Sequence, residues 1–113
     1  VKLLVSAAVL VLAACAHTTG APNALGTSVS GQHVANVTRD VQGWHNVQNP
    51  NCQFVRAIKA AVVERDTGGV TERWTIEGCD GRLFEYHAYI MSMGGGITVM
   101  VSNPDGSPAS VAP

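Results

Sequence analysis

The sequence predicts an α+β fold: a small four-stranded antiparallel β-meander with one short N-terminal helix packed on one face. Three observations point there. Four runs rich in β-branched and aromatic residues fill the second half of the chain, divided by short Gly-containing breaks. Breaks that short make hairpins rather than crossovers. Upstream, Val34, Val37, Val41 and Trp44 recur at helical spacing. The third observation is scale. The chain has 113 residues and a net charge of -1, enough for one domain at most. Its folding unit is residues 32–102, a size at which a domain buries a modest share of its surface and benefits from a staple.

The helix is expected over residues 32–43, with Ser30 as its cap and Gly43 at its end. Val, Thr and Asn are weak helix formers, which leaves a strand as the alternative here. Residues 53–65 form the first strand, closed by Asp66-Thr67-Gly68-Gly69. Phe54, Ile58, Ala61 and Val62 would also make a helical stripe. The strand is preferred because the next segment, 70–78, needs a partner across a Gly-Gly hairpin. The third strand spans 82–91. The fourth spans 96–102, where Ile97, Val99 and Val101 alternate with smaller or more polar neighbours after a Ser92-Met93-Gly94-Gly95 connection.

Burial selects the register of the central hairpin. A two-residue loop at Asp80-Gly81 would set Trp74 opposite His87 and Ile76 opposite Glu85. A three-residue loop, Cys79 to Gly81, sets Trp74 opposite Tyr86 and Ile76 opposite Phe84. A slip of one residue turns every side chain to the other face, so the second register is expected. The buried face is then Trp74, Ile76, Phe84, Tyr86, Ala88 and Ile90. Arg73, Thr75, Glu77, Glu85, His87 and Tyr89 lie on the other. A sheet apolar on one side needs a cover, and the helix supplies it.

The chain has three cysteines. Cys52 and Cys79 are expected to form a disulfide, because in an exported chain an even pair oxidises. The closed loop of about 27 residues stabilises by roughly 3 kcal/mol in the loop-entropy account. Neither cysteine belongs to a Cys-x-x-Cys pair or has a histidine at ligand spacing.

Export is read from the N-terminus. Residues 1–14 carry one positive charge, Lys2, then a mostly apolar run ending in small residues. That run is too short to span a bilayer as a helix and has the build of a secretory signal peptide. It ends in Leu12-Ala13-Ala14-Cys15, which resembles the lipobox of bacterial lipoproteins. The resemblance implies cleavage before Cys15, lipidation of that cysteine and anchoring by several acyl chains. Ala16 follows where the family's sorting rule has Asp for inner-membrane retention, so the outer membrane is the expected address. Residues 15–31, small and polar, read as the lipidated cysteine and a flexible tether. Residues 103–113, rich in Pro, Ser and Gly, read as a disordered tail.

No catalytic motif stands out. The chain lacks Gly-x-Ser-x-Gly, His-Glu-x-x-His and a phosphate-binding loop. Its Lys and Arg are scattered, which argues against nucleic acid. His17 falls in the tether and His33 at the domain's edge. His45 falls in a loop, and His87 on the exposed face. All four are read as solvated, and no metal site or cofactor is assigned. Met91 and Met93 near His87 match soft copper ligation, but two methionines at a strand end more often fill gaps. Glu72, Glu77, Asp80 and Glu85 read as a charged sheet surface without a catalytic pair.

As a whole the chain resembles small Gram-negative outer-membrane lipoproteins of unknown function, through its lipobox, its polar tether and the hairpin Trp74-Thr75-Ile76-Glu77-Gly78-Cys79. It is also similar to membrane-bound C-type lysozyme inhibitors in Cys79-Asp80-Gly81 followed by Tyr86. That family's second motif, a Ser-Gly segment running to a later tyrosine, has no counterpart here. The first resemblance implies no particular chemistry; the anchor and tether, with no reactive constellation, lead to the expectation of a non-catalytic outer-membrane lipoprotein, a binding, structural or surface-antigen module with an envelope protein or peptidoglycan as partner. The second implies an inhibitor of a hydrolase.

Overall fold

The computed structural model describes residues 25–107. The segment read as a signal peptide, Cys15 with most of the expected tether, and residues 108–113 of the expected tail lie outside them. One helix is followed by four strands: α1 (Gln32–Gln48), β1 (Arg56–Arg65), β2 (Val70–Glu77), β3 (Leu83–Met93) and β4 (Gly96–Ser102). The strands form one antiparallel sheet in the order β1-β2-β3-β4, the meander expected from the short connections. Among the described residues, no helix is long and apolar enough to cross a membrane.

The central hairpin takes the three-residue register. Trp74 pairs with Tyr86 and Ile76 with Phe84, and Gly78 N–H donates to the Arg82 carbonyl at 2.8 Å to close the loop. The turn Cys79–Gly81 places Asp80 and Gly81 at φ 55° and 72°. Asp and Gly are among the residues that accept this left-handed geometry.

The helix is longer than its sequence signals imply. It starts as expected, but Gly31 is the N-cap and no side chain caps it. Ser30 contributes its carbonyl, which accepts from His33 N–H at 3.2 Å. Gly43 does not end the helix. Val37, Val41 and His45 form one i, i+4 row that is wholly buried, so burial carries the helix through the exposed glycine to Gln48. Thr38 hydroxyl donates to the Val34 carbonyl at 2.7 Å, which occupies a side chain that would otherwise compete with helix formation. The buried row packs on Ala60, Trp74, Ile76, Tyr86, Ala88 and Ile90 to make the core.

The boundaries of the folded unit also differ from the compositional reading. Residues 25–31, expected in the tether, are docked. Ala60 N–H donates to the Leu25 carbonyl at 2.6 Å, and a Cβ on Gly26 would lie 2.5 Å from the Ala60 oxygen. Residues 103–107, expected in the tail, form a turn in which Gly106 N–H donates to the Asn103 carbonyl at 2.7 Å. Asn103 Oδ1 accepts from the Trp44 indole at 3.3 Å, tying the turn to α1.

Candidate functional site

The covered side of the sheet holds two polar residues that the sequence reading placed at the surface. Glu72 is fully buried. Its alternation with Trp74 and Ile76 along β2 turns it toward the helix side. Its Oε1 accepts from Thr27 hydroxyl at 2.8 Å and from the Trp74 indole at 2.9 Å. Its Oε2 accepts from the Ser28 amide and hydroxyl, both at 2.6 Å. Four donors on one carboxylate make its burial affordable and dock the segment that precedes α1.

His45 is the second correction. It lies in the last turn of α1 and is fully buried. Its Nε2 lies 2.7 Å from the Cys52 carbonyl and its Nδ1 lies 2.6 Å from the Tyr86 hydroxyl. A carbonyl only accepts, so Nε2 carries the hydrogen and Nδ1 accepts from Tyr86. Asn49 Nδ2 also reaches the Tyr86 oxygen at 3.3 Å. Burial holds the Tyr86 phenol above its ordinary pKa, and the Asn49 hydrogen bond acts against that rise. Glu72 and His45 are themselves fully buried and hydrogen-bonded, so both networks serve the fold, and the first reaches the surface through Ser28.

The Cys52–Cys79 disulfide is present. It joins the connection after α1 to the tip of the β2–β3 hairpin. His45 holds the same connection through the Cys52 carbonyl. Asp80 is exposed at the tip, while Tyr86, the other residue of the lysozyme-inhibitor resemblance, is 4% exposed.

The opposite face of the sheet has no helix on it. Register places Glu77 beside Arg56, Thr75 beside Lys59 and Glu85, and Arg73 beside His87. Arg56 Nε and Glu77 Oε1 form an ion pair at 2.7 Å. Toward β4, Tyr89 faces Met100, while Met91 and Met93 continue along β3. All three methionines of the chain therefore lie on this face. Leu83, Met93 and Met100 are each about three-fifths exposed. Met100 lies diagonal to both His87 and Met91, which adds a third thioether to the pair visible in the sequence. Among the described residues, no three His, Cys, Asp or Glu side chains converge as metal ligands.

Beyond Tyr89 the face ends at the β1–β2 turn. Asp66 Oδ1 accepts from the Tyr89 hydroxyl at 2.9 Å and from the Gly68 and Gly69 amides, both at 2.8 Å. The phenol and these amides hold the Asp66 carboxyl below its ordinary pKa. The same hydrogen bond raises that of Tyr89. On the helix side of this turn, a shallow groove of about 470 Å³ runs between Ser28, Val29, Asp66, Ile90 and Ile97. A second, of about 370 Å³, reaches His33, whose Nδ1 is buried without a hydrogen-bond partner. The second groove is lined by Ser28, Ser30 and Ser92 as well as His33, and the imidazole Nδ1 is hydrogen-bonded to none of them.

The open face thus presents thioethers, a leucine and an aromatic ring, with the Arg56–Glu77 ion pair toward its β1 side. No protein-family model, curated protein or solved structure matches this chain.

Proposed function

We propose that this chain is a non-catalytic envelope lipoprotein, anchored through Cys15 to the outer membrane, whose domain binds another envelope protein through the open face of its sheet. One observation carries the binding reading. Leu83, Met93 and Met100, the three most exposed large apolar side chains of the described residues, share the face that α1 leaves uncovered. Flexible thioethers suit a surface that adapts to a protein partner. The anchoring reading rests on the lipobox Leu12-Ala13-Ala14-Cys15.

One experiment tests both parts. The full chain is expressed in a Gram-negative host fed a clickable fatty acid, with photo-crosslinking residues placed in turn at positions 83, 93 and 100, and at 47 on α1 as the control. The expected result is fatty-acid label lost in Cys15→Ser, and one envelope protein crosslinked from the three sheet positions but not from 47. Crosslinks to peptidoglycan would move the ligand to glycan. Equal crosslinking from all four positions would overturn the open face as the binding surface. Label retained in Cys15→Ser would overturn the anchor.

A second reading is inhibition of a lysozyme-like hydrolase. It is favoured by the exposed Asp80 tip, held by the disulfide. With Tyr86 buried, only this tip is left to enter an active-site cleft. Undiminished lysozyme activity in the presence of excess protein would remove this reading.

A further inference from the structure

The two edges of the sheet are built differently. Edge strand β1 carries Arg56, Lys59, Glu64 and Arg65. Its register with β2 shifts twice, between Ala57 and Lys59 and between Val62 and Glu64. Leu25 accepts a hydrogen bond from Ala60 along its outer side. Charges, bulges and a covering segment are the usual means of stopping an edge from pairing with another strand.

Edge strand β4 has none of these. Gly96–Ser102 contains no charge and no proline. Its register with β3 is unbroken from His87↔Ser102 to Met93↔Gly96. Among the described residues, no backbone hydrogen bond crosses its outer side. A straight, uncharged edge of β-formers is a template for a further strand.

We propose that the partner of this edge is a second copy of the same chain, joined by antiparallel pairing of β4 with β4 about a two-fold axis at Val99. The strand is close to a palindrome around that residue. Pairing there sets Ile97 opposite Val101 on the covered face and Thr98 opposite Met100 on the open face, with Gly96 opposite Ser102. It is the register that engages the whole strand. A slip of one residue would set covered-face side chains against open-face ones, and a slip of two would leave strand ends unpaired. The absence of charge removes the repulsion that identical strands otherwise meet. The result is a continuous eight-stranded sheet with both helices on one side, as a two-fold axis normal to the sheet requires. The two open faces then merge into one surface with Met100 of each copy near its centre.

The dimer does not depend on the membrane anchor, so its test is separable from the one above. Sedimentation equilibrium of the full chain in density-matched detergent micelles reads the protein mass over a range of loading concentrations. The expected result is a concentration-dependent rise to twice the monomer mass. Thr98 and Met100 are exposed, so substitutions there leave the core intact. Thr98→Lys/Met100→Lys sets like charges opposite each other twice and is expected to weaken association at least about tenfold. Thr98→Lys/Met100→Glu sets opposite charges at the same two places and is expected to restore it. A native chain that stays monomeric throughout would overturn the proposal. So would a dimer that both variants leave unchanged, since its interface would lie elsewhere.

Discussion

The two faces of the sheet handle the same residue types in opposite ways. On the covered face a carboxylate, an imidazole, a phenol and an indole are enclosed, and each has its partners: Glu72 with Thr27, Ser28 and Trp74, and His45 with Tyr86 and Cys52. On the open face the corresponding groups pair in solvent, as Arg56 does with Glu77 and Tyr89 with Asp66. Apolar groups show the same division. Trp74 and Ile76 are wholly buried, whereas Leu83, Met93 and Met100 stand out in water. The covered face therefore holds most of the stability, and on the open face, the buried Thr75 aside, the exposed side chains can change without loss of the fold.

The sharpest way to break this division is Trp74→Ala. It removes the largest fully buried side chain and takes one donor from Glu72. The expected loss is about 3–5 kcal/mol, read as a fall in the denaturant midpoint. A loss below about 1 kcal/mol would show that the core collapses around the site and that the covered face is not the source of stability.

Glu72→Leu comes next. The leucine fits the apolar setting but takes the acceptor from the buried Trp74 indole and releases Ser28, an expected cost of roughly 2 kcal/mol. The effect should also be local. Hydrogen exchange at the Ser28 amide is expected to accelerate far more than at Val41, because Glu72 docks the segment before α1. Equal acceleration at both would mean that the carboxylate supports the whole domain rather than that segment.

These residues also mark what was legible in the sequence. The meander, the central register and the disulfide were readable because each follows from local rules: short Gly turns, two-residue alternation and an even cysteine pair. His45 carried a usable signal, since it continues the i, i+4 row of Val37 and Val41. Gly43 obscured that signal by resembling a helix end. Glu72 had its signal in alternation with Trp74 and Ile76, but a carboxylate is rarely buried without its donors in view. Those donors, Thr27 and Ser28, are 45 and 44 residues away along the chain, so only the folded structure shows them. The docking of residues 25–31 was hidden for the same reason, because small polar residues look like a tether until their partners are known. The open face was legible as a face, but Met100 could join it only once the β3–β4 register was known.

Alkaline pH should separate the two tyrosines. Tyr86 lies above its ordinary pKa through burial, and Tyr89 chiefly through its hydrogen bond to Asp66. A group whose folded pKa is raised holds its proton more tightly in the native state. Its stabilisation is complete below the unfolded value, near 10 for tyrosine, and is lost as pH rises through the folded value. Unfolding free energy is therefore expected to fall with pH above about 10. Tyr86→Phe should flatten part of that fall at a cost of about 1 kcal/mol at neutral pH, since His45 loses its close donor. Tyr89→Phe should flatten the part that salt also suppresses, because Tyr89 and Asp66 interact in solvent. An alkaline slope unchanged in both variants would detach it from the tyrosines.

The smallest expected effect on stability is the most informative about function. Met93→Ser/Met100→Ser removes two exposed thioethers that contribute nothing to the core cluster. Unfolding free energy is expected to change by less than about 0.5 kcal/mol, as for surface substitutions generally. If that holds while crosslinking from position 83 to the envelope partner disappears, stability and binding are carried by opposite faces of one sheet. If stability instead falls as it does for Trp74→Ala, the methionines belong to the fold, and the open face loses its claim to be the binding surface.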